Sequence, residues 1–212
     1  ESFSDKVIMP GLVEGHCHLM AGGIWKFVYV GYQDRIDPDG NEWPGVKTLE
    51  DVKARLAEAE STLGPDEPLV AWGFDPIFLM DGTPNGELQE MAAMFPIMRR
   101  LGINFREVGR SRESVIDFGK VCNRVGVTTA ADLINDLPDE DVAEMTDITN
   151  GSDYPIRLMS LLNGLAQPAE ETSARALELK KKCTDKLRLG SVKIVTDGSI
   201  QGFTARLRWP YH

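Results

Sequence analysis

Two histidines, His16 and His18, stand two positions apart at the end of the run Val7-Ile8-Met9-Pro10-Gly11-Leu12-Val13-Glu14-Gly15-His16-Cys17-His18. They are two of the three histidines in the chain. On a β-strand, residues i and i+2 point to the same face. The spacing therefore aims both imidazoles at one point, and two converging imidazoles are half of a metal site. Two solvated polar residues at a strand end would show the same spacing, so the pair alone leaves both readings open. Cys17 points away from the pair on such a strand and is not read as a ligand. The third histidine, His212, follows Trp209-Pro210-Tyr211 in a loop-like context and is not read as one either.

A second group of chemistry-bearing residues lies far along the chain, in Ser191-Val192-Lys193-Ile194-Val195-Thr196-Asp197-Gly198-Ser199-Ile200. Lys193 sits in a β-branched run and either serves a site or snorkels at a strand edge. Asp197 and Ser199 either orient a ligand or satisfy the turn that Asp-Gly-Ser forms by itself. Asp132 closes another run, Val125-Gly126-Val127-Thr128-Thr129-Ala130-Ala131-Asp132, and either faces a site or caps the next turn.

The elements that must position these residues follow from periodicity and punctuation. Pro10-Gly11 sets off a first strand over 12–18, and Gly22-Gly23 follows it. Residues 24–32 are aromatic and β-branched, and 34–46 read as a loop rich in Asp, Pro, Gly and Asn. Thr48-x-x-Asp51 is close to a capping box. Leu49, Val52, Leu56, Ala59 and Leu63 then form one apolar stripe, closed by Gly64-Pro65. Residues 69–75 read as a short buried strand. Residues 87–100 read as a helix that Pro96 should kink or end, with a methionine-rich face suited to packing.

From residue 111 the pattern becomes regular. Helices are expected over 111–124, 138–148 and 168–185, and strands over 127–133, 156–162 and 192–196. Strands and helices alternating at this spacing imply an α/β fold with a parallel sheet.

Three segments carry a family resemblance. Met9 to Leu19 resembles the first barrel strand of the amidohydrolase superfamily, with its Pro-Gly and His-x-His. The Val192-Lys193-Ile194 and Asp197-Gly198-Ser199 stretch resembles the amidohydrolase 3, YtcJ-like branch. Gly126-Val127-Thr128-Thr129 is similar to a strand found across the superfamily. The three occur in family order and span the chain.

That resemblance implies a TIM-type (β/α)8 barrel, of which this chain supplies strands one to four, with a large insertion after the first. Residues 1–18 and 111–212 would form the half barrel, and 19–110 an insertion or lid. It implies divalent metal, zinc first among candidates and one or two ions, held by His16, His18 and Lys193. In many relatives the lysine is carbamylated and bridges two ions, a reaction that needs an unprotonated amine. The implied activity is metal-dependent hydrolysis of a carbon–nitrogen bond, amide or formamide, by a metal-activated water. Lys193 and Asp197 are the candidate catalytic residues. Ser199, Trp72 and Phe74 are the candidate substrate-binding residues, with Trp25, Phe27 and Met91 completing an apolar lid.

The sequence also departs from the family. Phe74-Asp75-Pro76 passes almost directly to Asp81-Gly82-Thr83-Pro84, where a further strand is expected between them. Phe203 stands where an arginine is usual, which moves any anion-binding role to Arg206 or Arg208. The family's remaining ligands would fall beyond His212, so the chain reads as a fragment with an incomplete site. The competing reading is a non-catalytic regulatory or interaction protein, similar to relatives described as exoenzyme regulators.

Composition narrows the partners. With 33 acidic against 23 basic residues the net charge is −10, which disfavours nucleic acid. No apolar run approaches the ~20 residues of a membrane span, so no membrane partner is expected. A small-molecule substrate and self-association fit this picture. Three scattered cysteines give no disulfide framework; the compartment is left open, with the cytoplasm expected over secretion.

Overall fold

The computed structural model describes residues 6–74, 90–198 and 205–208. In chain order the described elements are β1 (Leu12–Cys17), α1 (Met20–Gly23), a 3-10 turn (Ile24–Lys26), β2 (Val28–Tyr29), β3 (Arg35–Ile36), β4 (Glu42–Trp43), α2 (Leu49–Glu60), β5 (Ala71–Trp72), α3 (Glu90–Arg100), α4 (Phe105–Val108), α5 (Arg112–Arg124), β6 (Val127–Asn135), α6 (Asp139–Asn150), β7 (Arg157–Asn163), α7 (Ala169–Lys180), β8 (Leu187–Arg188) and β9 (Val192–Lys193). The architecture is mixed α/β. One parallel sheet runs β1-β6-β7-β8, with β9 also paired to β7. Among the described residues the sheet does not close on itself.

The helices that flank this sheet start where the sequence supplies caps. Ser111 accepts the Ser114 N–H at the head of α5. At the head of α2, Thr48 and Asp51 form the reciprocal capping box, satisfying two backbone donors that have no intrahelical partner. The apolar faces of α5, α6 and α7 close over the sheet. Val115, Phe118, Val142, Met145, Ile148 and Leu179 pack with Ala130, Leu158, Leu162 and Leu187 in one core. Ala130, Leu158 and Leu187 are fully buried. Alternation along β6 and β7 leaves Thr129, Ala131, Met159 and Leu161 half-buried, on the face away from that core.

A second, smaller cluster of Val30, Val46 and Val52 lies within the segment between β1 and α5. That segment is tied to α5 at two places. Lys120 pairs with Asp39 at 2.8 Å, and Arg124 donates to the carbonyls of Ile36 and Pro38. The Gly22-Gly23 pair permits a third contact. A Cβ at Gly22 would stand 2.3 Å from the Ser114 carbonyl oxygen, and one at Gly23 2.2 Å from that of Val108.

Several elements differ from expectation. The strand expected over 69–75 is reduced to Ala71–Trp72, paired with β2. Helix α3 runs through Pro96 to Arg100, because a proline here removes one backbone bond without ending the helix. Helix α7 stops at Lys180, and Thr184 N–H then donates to the Leu187 carbonyl to turn the chain into β8.

The fourth strand position is the main revision. It is not 192–196 but two short pieces, β8 and β9, laid end to end along β7 and broken at Gly190, whose φ is +88°. Lys193 is therefore the last residue of its strand rather than the second.

Candidate functional site

The carboxyl ends of the parallel strands gather the polar side chains. β1 delivers His16 and His18 there, although its ladder is irregular. Glu14 lies opposite Ala130 and Cys17 opposite Asp132, so three steps on β1 match two on β6. The extra residue is a bulge, a device that re-aims side chains near sites. The Glu14 carboxylate accepts the His16 N–H at 2.8 Å. The two imidazoles meet edge to face, with ring centres 5.8 Å apart and planes at 82°. Two imidazoles sharing one zinc have ring centres about 5 Å apart, given Zn–N bonds of about 2.0–2.1 Å. The observed separation is somewhat wider than that. His16 is exposed, and the His18 side chain is 43% exposed, open to solvent from outside the sheet.

Cys17 lies on the core side, as its place between the histidines implies. Its thiol donates to the Ala131 carbonyl at 3.2 Å. Burial, reinforced by Cys122, pushes the thiol up to about 12, and burial raises Cys122 to about 11. Both are protonated at neutral pH, which suits neither ligand nor nucleophile.

Beside the histidines lies a buried carboxylate. Asp132, 3% exposed, accepts the Leu19 N–H at 3.1 Å, the Ser160 hydroxyl at 3.0 Å and the Asn135 amide at 3.0 Å. Its Oδ1 stands 4.0 Å from His18 Nδ1. A second polar group adjoins it. Asn163 donates to Asp136, and Arg110 bridges Asp136 at 2.9 Å and Asp141 at 3.1 Å. Burial raises the Asp141 carboxyl despite this arginine.

The local backbone here is strained. Asp132 pairs with Ser160 and Asn135 with Leu162, so β6 also carries one extra residue. Ile134 within that bulge has φ +82°, and Leu137 has φ +50°. A left-handed conformation at a β-branched residue costs on the order of 1–3 kcal/mol and persists only where surrounding contacts impose it.

The other candidates from the sequence are distributed as follows. Lys193, half-buried, sits level with Asn163 at the carboxyl end of the sheet. Two strands, β6 and β7, separate it from β1. Three strand spacings amount to about 14 Å in a flat sheet. Asp197 is exposed and accepts the Arg206 N–H at 2.9 Å and the Thr196 hydroxyl at 3.3 Å. Trp72 packs on Trp25 and Tyr29 with ring centres 4.9 and 4.7 Å away, and its Nε1–H donates to the Phe27 carbonyl. These contacts lie inside the segment between β1 and α5. Phe74 is 38% exposed. Ser199, Phe203 and His212 lie outside the described residues, as does the side chain of Met91.

Among the described residues no group of three or more His, Cys, Asp or Glu side chains is gathered to hold an ion. The two histidines face each other without a third such side chain gathered to them. Sequence reasoning passed over Ser160, Asn135 and Asn163. The signal for two of them was present, since Ser160 and Asn163 interrupt the otherwise apolar strand Leu158-Met159-Ser160-Leu161-Leu162-Asn163.

Fold and site together define a mixed α/β protein with a histidine pair at the carboxyl end of a parallel sheet. No family model matches the chain, and no curated protein matches it. Among solved structures it is similar to an uncharacterized metal-dependent hydrolase from Pyrococcus horikoshii OT3, with a TM-score of 0.55 and 14% identity. The likeness covers 96% of this chain and 46% of that one, so the chain spans less than half of its structural neighbour. At that identity the likeness concerns the fold alone. No described helix is long and apolar enough to cross a membrane.

Proposed function

We propose that this chain carries the first half of a metal-dependent hydrolase barrel that cleaves an amide- or formamide-type carbon–nitrogen bond in a small molecule. The observation that carries the reading is the imidazole pair at the carboxyl end of β1, with ring centres 5.8 Å apart. Active sites of parallel α/β barrels lie at that end of the strands. The likeness to a metal-dependent hydrolase and the YtcJ-like resemblance both favour hydrolase chemistry. The division into a half barrel (1–18, 111–212) and an insertion (19–110) belongs to the same proposal.

His16 and His18 would hold the ion, zinc or another divalent metal, through one ring nitrogen each. Lys193, now at the end of its strand, would approach from across the barrel, free or as a carbamate. A bound divalent ion supplies Lewis acidity toward a carbonyl and makes water acidic near neutral pH. Asp197 and Ser199 would line the substrate side of the turn after β9. Trp72 and Phe74 would serve as the apolar wall of a lid that favours a hydrophobic substituent.

Metal content by mass spectrometry on the purified protein, with intact mass alongside, tests this. We expect stoichiometric divalent metal, lost in His16→Ala and His18→Ala. Stoichiometric metal retained by the double variant would overturn the site. No metal in the wild type would favour the non-catalytic regulatory reading.

A further inference from the structure

We propose that Asp132 is the positioning residue of the histidine pair, holding the turn after His18 through the Leu19 N–H and setting the ring so that Nδ1 faces the carboxylate and Nε2 faces outward. This rests on the metal-site reading above. The groups donating to the carboxylate, a backbone N–H, a hydroxyl and an amide, carry no formal charge. A carboxylate this buried ordinarily pairs with a cation, and the nearby guanidinium of Arg110 is already held by Asp136 and Asp141. The imidazole of His18 approaches the carboxylate, with Nδ1 4.0 Å from Oδ1. The proposal requires the half-exposed imidazole to close that distance to a hydrogen bond.

Two features show that the carboxylate is deliberately fixed. The Ser160 hydroxyl, on a fully buried residue, donates to it. The left-handed Ile134 in the β6 bulge folds Asn135 back so that its amide also donates to it. A bulge, a strained residue and a buried hydroxyl converge on one side chain that touches the histidine turn. Histidine ligands commonly give their second nitrogen to such a carboxylate, and its loss typically lowers metal affinity about 10–100-fold.

The test is Asp132→Asn in the full protein. Zinc affinity is read by chelator competition, and the His18 tautomer by ring 15N shifts in the metal-free protein. We expect zinc affinity to fall about 10–100-fold, with the His18 shifts moving toward the other tautomer. Ser160→Ala and Asn135→Ala keep the carboxylate and remove one orienting donor each. They should weaken zinc by a smaller factor and cover the case in which Asp132→Asn does not fold. Wild-type affinity and unchanged His18 shifts in a folded Asp132→Asn, or in both donor variants, would overturn the proposal. If the wild type binds no zinc, the metal-site reading fails. The His18 tautomer still decides the role of Asp132, and unchanged shifts would overturn it.

Discussion

The middle of the sheet and its two edges are built to different rules. On β6 and β7, Ala130, Leu158 and Ser160 are wholly buried. On β1, Leu12 is 47% and Val13 72% exposed, and beyond β9 Ile194 is 63% exposed. Both edges expose β-branched and aliphatic side chains with open backbone, a combination that lone sheets avoid by charge, proline or cover. The difference teaches that the middle strands are stabilised by their own helices, whereas the edges have the composition of strands that expect neighbours. The half-barrel proposal accounts for this contrast by placing further strands against both edges.

The strongest challenge to the contrast is in the middle. Leu158→Ala should cost about 2–5 kcal/mol, because the surrounding helices and strands leave a cavity. Urea denaturation gives the value, and a cost under about 1 kcal/mol would mean that the middle is no better packed than the edges. Next in size is Gly22→Ala. The added Cβ would meet backbone atoms of Ser114 and Phe118 at 2.3 and 2.5 Å, so α1 must move off α5 at a cost of about 1–3 kcal/mol.

The edge gives the sharper comparison. In a protein limited to these residues, Val13→Asp should change stability by less than about 0.5 kcal/mol. In a protein whose sheet closes, it should cost more than about 1 kcal/mol, because a charge is then buried. Equal small losses in both would remove the argument for a covered edge.

The smallest effect concerns charge at the helix face. Hydrogen bonds and charge from Lys182 and Arg175 hold the Asp139 carboxyl at about 2, below the ordinary range. Its folded pKa is depressed, so its contribution is present above the unfolded value and is lost as pH falls through roughly 4 to 2. Asp139→Asn should flatten the acid limb of a stability–pH curve over that window. Because the group is exposed, added salt should shrink the difference.

Local signals were read well where the physics is local. The capping box at Thr48 and the strands β6 and β7 are set by residues within a short stretch of sequence. The histidine pair was legible for the same reason, since spacing by two survives even across the bulge. The bulge itself was not legible, because register depends on the partner strand. Nor was the break at Gly190. A glycine between Leu187-Arg188 and Val192-Lys193 reads as a loop until β7 is present to pair with both. Asp132 left two readings open because its partners Ser160 and Leu19 lie 28 and 113 residues away. Trp72 illustrates the reverse case. Its type suggested a wall for a ligand, and its described contacts are with the aromatic neighbours of its own segment.

That aromatic cluster gives the protein an optical consequence. Trp25 and Trp72 meet edge to face at 4.9 Å, with Tyr29 against both. The described part of the parallel sheet contains no tryptophan. Indole rings this close couple their excited states, so among the described residues the near-ultraviolet circular dichroism and the fluorescence of tryptophan come from the segment between β1 and α5. A melting curve followed by tryptophan emission would therefore report when that segment comes apart, while the backbone signal of helices and strands follows the sheet. Two wavelengths on one sample would show whether the two parts unfold together.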